Sequence, residues 1–397
     1  MFGLPEFSPL YCDYAATTPV DPLVADAMHR VLTGGRAFGN PSSSSHVFGA
    51  EANDHVAASA EAVGRALGVA GERIVWTSGA TESDNLAILG TARYGGERRG
   101  HIIATTVEHK AVIDPVKQLE SEGFPVTWLT PNADGHVTAA ALADALRDDT
   151  ILVSTMWVNN ELGTISDIRG FAAALEHHAA IWHVDAAQAF GKVAVHPLPG
   201  RIDLLALTGH KIYGPKGVGV LVLSDRAGVN LEPLLYGGGQ QYGLRPGTLA
   251  THQIVGFAQA AILASEKQEE DASRLSALGD RLSSGLLAVD GVTLNGSEAS
   301  RLPWLVNVSV EGVHGGALMS AVAPLALSAG SACNSTDREP SFVLKAIGLS
   351  DLAASASLRF SLGRPTTADD VDKIVARFEQ AVSVCRRLSG SLVADRP

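Results

Sequence analysis

The chain has 397 residues, 46% of them hydrophobic, enough to bury a large core and to form more than one compact unit. Its 41 glycines and many alanines point to an α/β protein with tight turns and close helix–sheet packing. A formal net charge of -12 argues against a broad basic face for nucleic acid, so no direct nucleic-acid partner is expected.

The opening stretch MFGLPEFSPLYCDY has no basic segment leading into an apolar run, so no secretory signal is expected. Residues 51–68 carry apolar positions at helical spacing, with Gly68 as the stop. RIVWTSG then reads as a strand entering a turn. The pattern repeats as HIIATT with a helix over 110–122, PVTWLT with a helix over 138–147, TILVSTMW with a helix over 168–179, and IWHVDA. Apolar runs separated by helices predict parallel strands covered on both faces. RIDLLALTG and GVGVLVLS follow with a shorter connection. A long helix spans residues 253–287, and the domain change is expected inside it. VTLNG and LVNVSVEG begin a smaller α+β unit. The expected division is 14–262 for the large unit, and 1–13 with 263–397 for the small one. The stretch 316–330 is short and contains Pro324, so it reads as core and not as a membrane span.

Several residues at strand ends carry possible chemistry. In residues 208–217 (TGHKIYGPKG), Gly209 and Gly214 have the spacing of a nucleotide phosphate loop. Pro215 stands where that loop needs lysine, so the nucleotide reading fails. Lys211, just past a buried strand, instead suits covalent attachment of a carbonyl cofactor, or is a surface lysine in a Gly-Pro turn. Asp185 ends an apolar run, where a carboxylate is costly without a partner. A protonated ring nitrogen would supply that partner, and an N-cap role is the plainer reading. Gln188 lies three residues on. Residues 78–85 (SGATESDN) offer small residues and a helix N-terminus to an anion, or form an ordinary capping box. His109 can stack on a planar ring or cap a helix. Asn159, Asn160 and Glu161 follow another strand and can hydrogen-bond a ring hydroxyl. His177 and His178 lie on an exposed helix without partners at metal spacing, so they read as solvated surface and no metal is expected.

Cys12, Cys333 and Cys385 form no C-x-x-C pair, which favours a reducing, cytoplasmic setting over a disulfide framework. Cys333 sits among small polar residues and reads as a loop thiol, nucleophilic or idle. Cys12 and Cys385 read as inert.

The order of these segments carries more than any one of them. With DYAATTPVD, FGNPSS, TSGATESDNLA, EHKAV, VNNELG, HVDAAQ, GHKIYGPKG, GLRPGT, GSACNS and SLRFSLGR, the chain resembles the NifS/IscS-type cysteine desulfurases over residues 11–388. These belong to the fold-type I, class V aminotransferase group. The resemblance implies an α/β fold with a mostly parallel seven-stranded sheet, flanked by helices, and a smaller domain carrying a catalytic cysteine loop at about 328–340. It also implies pyridoxal phosphate held by Lys211, which moves protons. Asp185 would pair with the pyridine nitrogen, His109 stack on the ring, and Asn160 and Gln188 bind near its hydroxyl. Ala80, Thr81, Thr208 and His210 would bind the phosphate. Thr248 would reach the phosphate of a partner subunit, which implies a homodimer. Asn40 and Arg359 match the residues that bind the substrate carboxylate. The implied reaction takes sulfur from L-cysteine, leaves alanine, and holds the sulfur as a persulfide on Cys333, with His109 as the nearest acid–base group.

Some positions depart from the family pattern. Trp157 stands where many relatives have His, and Gln240-Gln241-Tyr242 replaces a more charged stretch. The sequence given ends soon after Leu388, where housekeeping relatives continue with a scaffold-docking tail. The expected acceptor is therefore left open between iron–sulfur assembly, tRNA thiolation and DNA phosphorothioation. The alternatives to desulfuration are a selenocysteine lyase, another class V enzyme, or an idle partner-binding platform.

Overall fold

A computed structural model describes residues 9–94, 96, 99–195, 200–226, 229–329 and 340–394. The N-terminal strand β1 (Leu10–Tyr11) leads to α1 (Pro22–Thr33), which starts where the Asp21 carboxylate accepts from the Leu23 N–H and proline occupies the first turn. The sequence reading omitted this helix, although Asp-Pro was its start signal. Helix α2 (Val47–Leu67) stops at Gly68, whose φ of 70° is the left-handed state expected of a glycine stop.

Strands and helices then alternate: β2 (Ile74–Thr77), α3 (Ala80–Arg93), β3 (His101–Thr105), α4 (Lys110–Ser121), β4 (Val126–Leu129), α5 (Ala139–Ala145), β5 (Thr150–Met156), α6 (Ile168–Leu175), β6 (Ile181–Asp185), β7 (Leu204–Thr208) and β8 (Gly219–Leu223). The large sheet has the order β2-β8-β7-β6-β5-β3-β4. Only β8 runs antiparallel to its neighbours. The carboxyl ends of the other six strands therefore share one edge, the place where open α/β sheets bind ligands.

Alternate residues of each strand enter opposite cores. Val75, Ile102, Ala104, Leu152 and Leu221 pack with Leu86, Ile88, Val112 and Leu119 of α3 and α4. Trp76, Ile103, Val153, Trp182 and Val220 face the other side, with Val63, Phe171 and Phe257 in the same core. Each fully buried large apolar side chain contributes roughly 1.5–3 kcal/mol. The resulting sheet is a stiff floor for the loops at its edge.

The helix expected over 168–179 ends at Leu175. The chain turns there because the carbonyls of Leu175 and His178 accept from Arg201, at 2.8 and 3.0 Å. His178 is therefore not solvated surface. It is half-buried, and its ring Nδ1 accepts from the Ala180 N–H at 3.1 Å.

Helix α7 (Thr251–Leu287) packs on α1 and α2, and also on β9 (Val292–Leu294), β10 (Leu305–Val310) and α11 (Ala368–Ala394). The boundary expected after residue 262 falls inside it. Helix α8 (Gly315–Ala321), β11 (Leu325–Ala326), β12 (Ser328–Ala329), α9 (Phe342–Ala346), α10 (Asp351–Ser355) and β13 (Ser357–Ser361) complete the described chain. A second sheet, β12-β13-β10-β9, is antiparallel throughout. Strand β1 pairs with β11, and Asp13 bridges to Ser361, so the N-terminal segment runs beside this smaller sheet before crossing to the large one.

Candidate active site

Lys211 ends a short helical turn directly after β7. That turn is fixed from several directions. Thr18 donates to the His210 carbonyl through both its N–H and its hydroxyl, each at 2.9 Å, and the same hydroxyl accepts from the Tyr213 N–H at 2.9 Å. Tyr213 has a φ of 64°, a strained state for an aromatic residue. It is held there because its hydroxyl accepts from the Arg364 N–H at 2.6 Å and the Arg364 guanidinium lies 4.2 Å from its ring centre. The turn presents Lys211 to a cavity of about 610 Å³ at the sheet edge.

Asp185, at the end of β6, lines the same cavity while only 6% exposed. Its Oδ1 accepts from the Ala187 N–H at 2.8 Å. Among the described residues no helix stands between β6 and β7, so the plainer N-cap reading is not realised; the contact is an Asx turn beside the cavity. Beneath it lies a fully buried group: His183 Nε2 is 3.3 Å from Asp84 Oδ1, and His183 Nδ1 is 2.9 Å from the Ser154 hydroxyl. Burial, with Asp185 and Glu108 nearby, raises the Asp84 pKa, and burial pulls His183 down to about 4. Glu108, also fully buried, is pushed up to about 8. Gln188 donates from Nε2 to the Ala15 carbonyl at 2.7 Å and accepts from Lys192. Burial first, then the Lys211 and Arg359 cations, lower Lys192 to about 7.

The opposite end of the cavity is built by the turn into α3. Ser78, Gly79, Ala80 and Thr81 line it together with Thr208, His210 and Gly217. Gly79 has a φ of 155° and no side chain caps this helix N-terminus. The alternative capping box through Ser78 and Thr81 is therefore not formed. The Ser78 N–H donates instead to Glu82 Oε2 at 2.7 Å, and Glu82 pairs with Arg245 at 2.7 Å. Gly219 is equally constrained: a Cβ there would lie 2.7 Å from the Gly79 backbone. His210 Nδ1 is 3.1 Å from the Thr17 hydroxyl. Burial, then the Lys211, Lys216 and Lys192 charges, lower His210 to about 4, so it stays neutral at pH 7.

His109 also lines the cavity, and its Nδ1 accepts from the Ala111 N–H at 3.1 Å, so it caps α4 as well. That bond puts the ring proton on Nε2. Burial, then Lys211, lower its pKa. Asn160 lines the cavity, and its carbonyl accepts from Arg359 Nη1 at 2.7 Å. Arg359 Nη2 donates to Asp13 Oδ1 at 2.7 Å and to the Ser328 hydroxyl at 3.1 Å. Glu161, pushed up to about 7 by burial, accepts from the Ser341 hydroxyl at 2.5 Å.

Asn40 and Thr248 are exposed and do not line this cavity. Asn40 Oδ1 accepts from the Ser42 N–H at 2.9 Å. Cys333, with 330–339 of its expected loop, lies outside the described residues. Cys12 and Cys385 are buried, and burial raises both thiols, Cys12 to about 12. Such thiols are poor nucleophiles. Asn159 and Glu161, expected near a ring hydroxyl, do not line the cavity, and the sequence reading gives no role to Asp13, Ser328, Lys192 or Glu108. Of these four, Asp13 and Glu108 stand in quoted segments, and nothing local marks the contacts they make. Among the described residues no cluster of His, Cys, Asp or Glu is arranged to hold a metal ion.

Uncapped helix N–H groups and hydroxyls at one end, a buried carboxylate at the other and a lysine between them suit a flat ring bearing a phosphate and an aldehyde. Pyridoxal phosphate fits this set, and the close Gly79–Gly219 contact fixes the backbone of the turn at the end suited to its phosphate. The family model for aminotransferase class-V matches residues 10–374. A cysteine desulfurase IscS from Azotobacter vinelandii is 46% identical over 381 residues, covering 96% of this chain and 94% of that protein. A solved NifS-like protein superposes with a TM-score of 0.86 at 33% identity, over 95% of this chain and all (100%) of that one. A structure of SspA in complex with cysteine gives 0.78 at 37% identity, over 89% and 98%. The chain belongs to the class-V aminotransferase family, in its NifS/IscS-type cysteine desulfurase group.

Proposed function

We propose that this protein is a pyridoxal-phosphate-dependent cysteine desulfurase. It converts L-cysteine and a protein thiol to L-alanine and a protein persulfide, with the substrate sulfur ending on Cys333. The carrying observation is the meeting of Lys211, Asp185, His109 and the α3 N-terminus in one cavity, in a chain of this family.

Bound pyridoxal phosphate supplies an electron sink that allows a proton to leave Cα and weakens the bond to sulfur. Lys211 holds the cofactor and takes and returns that proton. Asp185 pairs with the pyridine nitrogen, and burial holds its neighbours Asp84, Glu108 and His183 toward their neutral forms. His109 stacks on the ring, and Asn160 and Gln188 bind its hydroxyl side. Ala80, Thr81, Thr208 and His210 bind the phosphate. Thr248 reaches the partner subunit's phosphate, which makes the working unit a homodimer. Its exposure, and that of nearby Leu235, Tyr236 and Tyr242, supports a subunit interface there. Arg359 binds the substrate carboxylate, and Asn40, exposed and outside the cavity, is its proposed second ligand by resemblance to the family. The Cys333 thiolate takes the sulfur, and the persulfide passes to an acceptor protein. Among the described residues no helix is long and apolar enough to cross a membrane, which is compatible with a cytoplasmic enzyme.

The test is release of alanine and sulfide from L-cysteine with a thiol reductant, for wild type and Cys333→Ser side by side. Release by wild type alone supports the reading. Persulfide formed by Cys333→Ser at the wild-type rate overturns the choice of nucleophile.

A further inference from the structure

A guanidinium grips a carboxylate with two parallel N–H bonds along one of two edges, Nε with Nη2 or Nη1 with Nη2. Both edges need Nη2. In this protein Arg359 Nη2 is already engaged by Asp13 Oδ1 at 2.7 Å and the Ser328 hydroxyl at 3.1 Å. The Ser328 hydroxyl in turn donates to Asp13 Oδ2 at 2.9 Å, which closes a three-membered ring of contacts. Nη1 is tied to the Asn160 carbonyl, and Nε is buried with no hydrogen-bond partner. Asp13, Ser328 and Arg359 all line the cavity that holds Lys211. The arginine side chain is 5% exposed and the aspartate 19%, so the pair is shielded on one side and open to the cavity on the other.

From this arrangement we infer that Asp13 is a resident carboxylate that occupies Arg359 in the substrate's place and is exchanged for the carboxylate of the incoming amino acid. The inference rests on Arg359 as the substrate-carboxylate site. An incoming carboxylate cannot form a paired contact on either edge of Arg359 until one Nη2 contact is given up. The Asp13 contact is the one that carries like charge, and two carboxylates on one guanidinium repel each other in a partly buried site. The exchange trades one charge-assisted hydrogen bond for another. It therefore weakens substrate binding while leaving the arginine paired whenever the site is empty. A buried cation without a partner would be far more costly. Asp13 acts through Arg359 and is a positioning residue that sets affinity and selects for a carboxylate.

The experiment compares Asp13→Asn with wild type as holoenzymes. Asparagine keeps an oxygen for Arg359 and loses the charge, and its amide N–H can donate to the Ser328 hydroxyl in place of the oxygen that accepted from it. KM for L-cysteine should fall roughly tenfold, the size of one charge-assisted hydrogen bond, with kcat moving far less. Cysteamine, which is cysteine without its carboxylate, is the second probe, and its inhibition constant should not improve. Ser328→Ala loosens the same ring without touching a charge and should lower KM for L-cysteine by a smaller factor. A KM for L-cysteine that is raised or unmoved in both variants overturns the inference, and so does an equal gain for cysteamine. Arg359→Lys in the same assay separates the two levels. If it leaves KM for L-cysteine unchanged, the assignment of Arg359 is wrong. If it raises KM while Asp13→Asn does nothing, only the role of Asp13 falls.

Discussion

At the scale of single residues, the site works by putting polar groups where burial would penalise them unless a ligand answers. Asp185 is the clearest case, a carboxylate 6% exposed at the end of an apolar strand. Its neighbours Asp84, Glu108 and His183 are all shifted by burial toward their neutral forms. Asp185→Asn should therefore lose on the order of a hundredfold in kcat/KM, the cost of one charge-assisted bond to the ring nitrogen. The variant should keep its covalent attachment at Lys211, read by the cofactor's absorbance. Lys211→Ala should lose both that absorbance and alanine release. Retained absorbance in Lys211→Ala would place the attachment elsewhere.

At the scale of elements, the proposed phosphate end depends on β8 passing against the turn into α3. Gly219→Ala would add a Cβ 2.6 Å from the Leu207 carbonyl and 2.7 Å from the Gly79 backbone. Neither neighbour is a flexible side-chain end, so the strand or the turn must shift, at about 2 kcal/mol of stability. Cofactor retention on dialysis should drop as well, and unchanged retention would remove Gly219 from the cradle. The joint between Glu161 and α9 is a second element-level device. Burial raises Glu161 from its ordinary 4.5 to about 7, and its partner Ser341 caps α9. The folded protein keeps this proton at pH values where the unfolded chain has released it. Stability from this group is present below about pH 4.5 and is lost as pH rises to about 7. The loss is of order 3 kcal/mol. Urea midpoints measured across that range should show the fall in wild type and a flatter profile in Glu161→Gln. Parallel profiles would count against the raised carboxyl.

At the scale of the whole molecule, the site is assembled from distant parts of one chain, and on the proposed reading the partner subunit adds a second chain to it through Thr248. Phe38, Tyr236 and Tyr242 are 68%, 79% and 82% exposed, an unusual display for large aromatic side chains. Sedimentation should report a dimer, and Thr248→Ala should weaken cofactor retention without changing that mass. A monomer with full activity would refute the shared site.

The sequence by itself determined the repeating strand–helix units, because a sheet buried on both faces demands continuous apolar runs and those are local patterns. It also marked Lys211, Asp185, His109 and the turn at Gly79, since each lies directly after such a run and the fold puts strand ends together. The short helix at Pro22 went unread although its start signal was present, and the helix ending at Leu175 was read too long, because its stop is set by Arg201 from another segment. Only the tertiary structure decided the rest. Asp13 and Arg359 are 346 positions apart, and Glu161 and Ser341 are 180. No local periodicity encodes such contacts. They arise when the N-terminal segment and the small sheet close over the edge of the large one, and that closure decides which charge each buried group meets.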